Sequence, residues 1–217
     1  MSRKSDLIAI FESVKTTASR GFASSREIIN GNAYTPEGKK QELNRLTEQY
    51  TGQIQTQRQQ AMDAIDAGLQ GLESKWKVEV LKNIQNAGYQ AGLSNFLQIL
   101  QTGAIKDKTD IRNAVTVYEG DHNAIAAIRQ LLITSTIPAY QEIALELPED
   151  TRGKNRELLQ RLKHNVDTQI SDQGVFQLIH GSGRTYEETV LFLTLEGFIS
   201  FVNERLGDDL ELISVRA

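Results

Sequence analysis

The chain contains no cysteine among its 217 residues. That excludes disulfides, thiolate nucleophiles and cysteine-rich zinc sites together. Proline is almost as scarce, occurring only as Pro36, Pro138 and Pro148, so little interrupts helix formation. Aromatics make up 6% of the residues, which points to a chain that spends part of its length on surface-rich structure rather than core. The net charge is −4 and no run of Lys or Arg occurs, which disfavours a nucleic-acid or anionic-membrane footprint. Long apolar runs are also missing. The most apolar stretch, Val190 to Val202, is broken by Thr194, Glu196 and Ser200 and falls short of the ~20 residues that span a bilayer. The opening "MSRKSDLIAIFESVK" returns to polar residues after a very short apolar run, unlike a signal peptide. A chain of this kind is expected to be soluble, neither transmembrane nor secreted by a signal peptide.

What is present is helix-forming. Gln, Glu, Lys, Ala and Leu are abundant and period-two alternation is rare, so the fold class is expected to be all-α. Leu7, Ile10, Phe11 and Val14 mark a first amphipathic helix from Asp6 to about Ser19, followed by a less regular stretch to Asn32. Thr35 and Pro36 then start a long helix: Thr35 can cap, Pro36 presets the backbone angle of a first helical position, and Glu37 suits the first turn. Leu43, Ile54, Ile65 and Trp76 recur every 11 residues, and Tyr50, Ala61 and Leu72 repeat the same step. Eleven residues make three turns of about 3.67, so these positions stay on one face of an otherwise polar rod. Val80 and Ile84 suggest continuation past Lys77.

From about Leu93 the helices become shorter and more apolar, punctuated by Gly103, Gly120, Pro138 and Pro148. Asp121 is placed to cap a helix carrying Ile125, Ile128 and Leu132. A longer helix from Lys154 to Ile170 follows. Thr185 and Glu188 then form a capping box that opens a helix to about Leu206, and the alternating "LELISV" suggests a short strand. The architecture expected is a long polar helix or elongated helical hairpin followed by a compact helical bundle, with a division near residue 92: 1–92 as the arm and 93–217 as the bundle.

No catalytic motif emerges. His122, His164 and His180 have no metal-ligand spacing. "HGSGRTYEE" (His180 to Glu188) places glycines and Arg184 before a helix N-terminus, where an anion could sit, but lacks the strand and the Lys-Ser/Thr of a P-loop. "YEGDHNA" gathers Glu119, Asp121 and His122; its simpler reading is a helix end at Gly120 and a cap at Asp121. The amide-rich "GQIQTQRQQ" (Gly52 to Gln60) serves equally as a neutral solvated face or as a helix–helix contact. No cofactor or metal is called for.

The order of features from Tyr34 to Leu132 resembles tailed-bacteriophage proteins of the head-morphogenesis group. It carries "YTPEG" at a helix start, a long polar helix, and Tyr118, Gly120, Asp121, Ala124, Ala127, Ile128 and Arg129 in a "Y-x-G-D-x-x-A-x-x-A-I-R" segment. The resemblance implies a non-enzymatic scaffolding or minor capsid-associated role in the host cytoplasm or virion, with capsid or other virion proteins as partners. Association with further copies is expected along the long-helix seam at Leu43, Leu46, Tyr50, Ile54, Ile65, Leu72 and Trp76, as in a coiled coil. The alternative is intramolecular, with the same stripe packed inside the chain. A rival reading, a helical regulatory or nucleic-acid-associated adaptor, would use Lys39, Lys40, Arg45 and Arg58.

Overall fold

The computed structural model describes residues 2–180 and 185–213 and, within these, all side chains but those of residues 178 and 185–190. The fold class is all-α. The helices are α1 (Arg3–Asn30), α2 (Pro36–Gln85), α3 (Ala87–Thr102), α4 (Lys108–Thr116), α5 (His122–Thr134), α6 (Pro138–Glu146), α7 (Arg152–Gln169), α8 (Asp172–His180) and α9 (Thr185–Arg205). The chain forms two compact units, Met1–Leu72 with Lys154–Ala217 and Glu73–Gly153, and α2 contributes to both. The division expected at residue 92 therefore gives way to one in which the two ends of the chain share a unit.

In the first unit α1 runs unbroken, longer than its local pattern predicts. Gly21 does not end it: the glycine is buried, and a Cβ there would lie 3.2 Å from the Tyr50 ring of α2. The absent side chain is what lets that ring approach. Leu7, Phe11, Val14 and Ala18 of α1 are fully buried, and Phe11 meets Phe198 of α9 with ring centroids 5.4 Å apart. An aromatic pair of this kind adds about 0.5–1.5 kcal/mol beyond its buried area. The start of α2 is as expected, with the Gly38 N–H donating to Thr35 Oγ1 at 3.1 Å. Gln57 donates to Ser13 Oγ at 2.8 Å and to Thr17 Oγ1 at 3.0 Å, and Gln55 donates to Asp172 at 2.8 Å. The amide-rich face is thus a helix–helix contact made within the chain. Arg58 donates to the carbonyls of Asp167 and Ile170 at the end of α7, and Lys163 of α7 pairs with Asp66 at 2.6 Å.

The second unit surrounds one apolar cluster. Phe96 and Leu100 of α3, Ile111 and Val115 of α4, Ile125, Ile128 and Leu132 of α5, and Tyr140 and Ile143 of α6 form its centre. Turn chemistry sets the corners. Gly103 ends α3 in the left-handed conformation (φ +66°), its N–H reaching the carbonyls of Ile99 and Leu100. Asp107 caps α4 through the N–H groups of Thr109 and Asp110, and Pro138 opens α6. Tyr140 is wholly buried, and its hydroxyl donates to the Ile105 carbonyl at 2.6 Å, so its polar end is satisfied. Across α4 and α6, Arg112 forks onto Glu146 at 2.6 and 2.7 Å.

The "LELISV" strand is reduced, within the described residues, to an isolated bridge between Leu206 and Leu212. The side chains of the Thr185–Glu188 capping box lie outside the described residues.

Candidate functional site

The acidic loop and the end of the long helix carry the features closest to a site, and both belong to the second unit. Asp121 follows Gly120, caps α5 and is nearly buried. Its Oδ1 accepts from the N–H groups of Asn123 at 2.9 Å and Ala124 at 3.1 Å. Its Oδ2 accepts from Asn83 Nδ2 and from the Tyr89 hydroxyl, each at 2.9 Å. Burial pushes this carboxyl upward, but the four donors outweigh it and hold its pKa below the usual value. The Tyr89 hydroxyl is driven far up, first by burial and then by the carboxylate it serves. A carboxylate with every lone pair engaged and a strong preference for the charged form has no proton to give and little basicity to offer. Asp121 is an anchor joining the end of α2, α3 and the start of α5.

The other residues of the same segment are structural too. Tyr118 stacks on Phe96 at 5.6 Å and meets Tyr89 edge-on at 5.6 Å; Ala124 and Ile128 are core; Arg129 pairs with Glu149 at 3.4 Å. Nearby, Arg152 grips Asp150 through two bonds of 2.9 and 2.6 Å and reaches Asn123 Oδ1 at 2.8 Å. The guanidinium holds the Asp150 carboxyl down at about 2.

Beside this anchor, α2 presents an apolar face to solvent. Val78, Leu81 and Ile84 are 64%, 45% and 61% exposed, and Val117 after α4 is 71% exposed. Val78 lies two residues past Trp76, roughly 200° around the helix at 3.6 residues per turn. Val78 therefore points away from Trp76, whereas Ile84, about 80° around from Trp76, extends that row, and a search for one continuous stripe passes over Val78 and Leu81. A shallow recess of about 420 Å³ is lined by Val78, Leu81, Lys82, Gln85 and Asn86. Three exposed aliphatics within two turns of one helix are the most concentrated apolar exposure on the described part of α2.

The seam expected to carry association lies elsewhere. Tyr50, Ile54, Ile65 and Leu72 are buried within the single chain, and Leu43, Leu46 and Trp76 are half-buried. The central four positions are thus core of the first unit, the intramolecular alternative, because α1 and the C-terminal helices return to cover them. The cations of the adaptor reading are largely engaged at home. Lys39 donates to the Ile29 carbonyl at 2.8 Å, Arg45 pairs with Glu42 at 3.0 Å, and Arg58 binds the end of α7.

The histidines do not converge. His164 is exposed, and His122 opens α5. His180 stacks on Phe176 at 4.2 Å, with its Nε2 2.9 Å from Thr47 Oγ1. That hydroxyl already donates to the Leu43 carbonyl, so it accepts from the ring. Gly181 to Arg184 of the anion-binding candidate lie outside the described residues. Among the described residues no group of three or more acidic or histidine side chains could hold a metal, and no helix is long and apolar enough to cross a membrane. A groove of about 470 Å³ between α7 and α9 is floored by Leu158, Leu162, Phe198 and Phe201, and its Arg161 is spent on Glu157 at 2.5 Å.

Asn83 and Tyr89, the partners that complete the Asp121 anchor, carry no motif and emerge only from the fold. Comparison of the chain with protein-family models, with curated proteins and with solved structures finds no match.

Proposed function

We propose that this chain is a non-enzymatic helical assembly protein of a phage or prophage particle, which associates with further copies of itself through the end of its long helix and contacts a coat or other virion protein. The observation that carries this reading is the exposed Val78–Leu81–Ile84 face at the end of α2. The resemblance spanning Tyr34 to Leu132 covers that face and supplies the setting.

The magnitudes favour weak, reversible contact. Full burial of an aliphatic side chain stabilises by about 1.5–3 kcal/mol. The exposures of Val78, Leu81 and Ile84 sum to somewhat less than two whole side chains per copy, so joining two copies gains roughly 5–10 kcal/mol. Association costs about 4–15 kcal/mol in lost freedom, a range that overlaps the gain, so this face alone supports at most a weak contact. An assembly protein that must be displaced or rearranged needs a contact of that strength.

The absence of native cysteine makes the face testable by a single introduced thiol. Leu81→Cys under mild oxidation is expected to give a disulfide-linked dimer, because an isologous contact brings the same position of two copies together. A thiol at exposed Lys106, off the face, is the reference. Equal cross-linking at the two positions would reject association through this helix end.

A further inference from the structure

The turn after α9 holds the one non-glycine residue with positive φ among the described residues, Leu210 at +68°. Leucine is disfavoured there because its Cβ crowds the following carbonyl. The side chain is nonetheless fully buried. It fits because residue 68 on α2 has no side chain: a Cβ on Gly68 would lie 2.5 Å from Leu210 Cδ1. The turn is closed by Gly207 N–H donating to the Glu211 carbonyl at 2.7 Å, Leu210 N–H to the Gly207 carbonyl at 3.0 Å, and Ile213 N–H to the Arg205 carbonyl at 2.9 Å.

One buried side chain clasps it from outside. Asn155, near the start of α7, donates through Nδ2 to the Leu210 carbonyl at 3.2 Å and accepts at Oδ1 from the Leu212 N–H at 2.5 Å. On the other side, Lys4 of α1 donates through Nζ to the carbonyls of Asn203 and Leu206, both at 2.8 Å, capping the end of α9. The Lys4 N–H also donates to the Asp208 carbonyl at 3.1 Å.

We propose that residues 206–212 are a latch that opens and closes as a unit, short of global unfolding, with Asn155 as its clasp and the bare Gly68 surface as the socket for Leu210. The hydrogen bonds that close the turn are mostly local, Asn155 and Lys4 hold it from outside, and release relieves the strain at Leu210, offsetting part of the cost of uncovering its buried side chain. Local closure with stored strain sets the opening free energy of such a segment below that of the long helices it joins. Opening frees Leu210 and the Gly68 socket together and releases the Lys4 bonds to Leu206 and Asp208, while Lys4 keeps its bond to Asn203 of α9. This inference rests on the first unit alone and stands apart from the association face.

Amide hydrogen exchange on the full chain tests it. In the wild type the amides of Leu210, Leu212 and Ile213 are expected to exchange through a common opening, faster than the amide of Ile65 in α2. Asn155→Ala removes both clasp bonds and is expected to accelerate the latch amides by on the order of tenfold, leaving Ile65 unchanged. Gly68→Ala gives the same signature by filling the socket while improving the helix propensity of α2. The latch is overturned if its amides match Ile65 in the wild type, if neither variant accelerates them, or if acceleration spreads equally to Ile65.

Discussion

Replacing Asp121 with alanine removes the carboxylate on which α2, α3 and α5 converge, and the structure sets the scale of the loss. The cap to the Asn123 and Ala124 N–H groups contributes about 1 kcal/mol by the usual cost of deleting an N-cap. The bonds from Asn83 and Tyr89 end on a charged acceptor, each contributing about 1.5–3 kcal/mol when fully desolvated. Both donors are only part-buried, so water recovers some of that energy, and the expected total is about 2–4 kcal/mol. Asp121→Asn separates the contributions: its oxygen keeps the cap, while its amide now faces the Asn83 amide, so a smaller loss of about 1–2 kcal/mol follows. Trp76 is the sole tryptophan and belongs to the second unit, so urea unfolding followed by its fluorescence reports that unit. A loss below about 1 kcal/mol for the alanine variant, or equal losses for both variants, would refute the anchoring role.

The remaining predictions concern the cores and acid stability. Ile54→Glu with Ile65→Glu places carboxylates at positions 2% and 1% exposed, and the first unit is expected to unfold as a monomer, seen as lost far-ultraviolet ellipticity; a folded variant would return the seam to the surface. Tyr140→Phe leaves the Ile105 carbonyl without its donor and should cost about 1 kcal/mol by chemical denaturation, with no change in helix content. Asp150 titrates at about 2 in the folded chain against an ordinary 3.8, so its stabilisation is present above pH 4 and disappears as pH falls toward 2. Discounted for its partial exposure, that amounts to on the order of 1 kcal/mol, and it should vanish from an acid titration of Asp150→Asn.

The helices were legible because their signals are local. Thr35-Pro36 marks the start of α2, Asp121 the start of α5, and the 11-residue step of Ile54 and Ile65 a face that is indeed covered. What covers it is not local information. The pairing of α1 with α9 joins residues at opposite ends of the chain, Phe11 with Phe198 and Lys15 with Glu196, and no periodicity within either helix announces its partner. The same gap misplaces the boundary at residue 92 and moves the association seam into the core. The expected end of the first helix near Ser19 fails for the same reason: Gly21 lies inside α1, where its bare backbone admits the Tyr50 ring. Of the candidate face, Ile84 was visible as an extension of the Trp76 row. Val78 and Leu81 were not, because they sit on the far side of the helix, where apolar residues are expected only if something outside the chain covers them.

The central claim is that the exposed end of α2 joins copies of this protein. Sedimentation velocity across low to high micromolar concentration, on the wild type and on Val78→Glu with Ile84→Glu, tests it most directly. Both positions are exposed in the single chain, so the variant should keep wild-type helicity and melting while its association is abolished. The account predicts a wild type whose average mass rises with concentration and a variant that stays monomeric throughout. A wild type that remains monomeric at high micromolar concentration, or a variant that associates as strongly as the wild type, would contradict it.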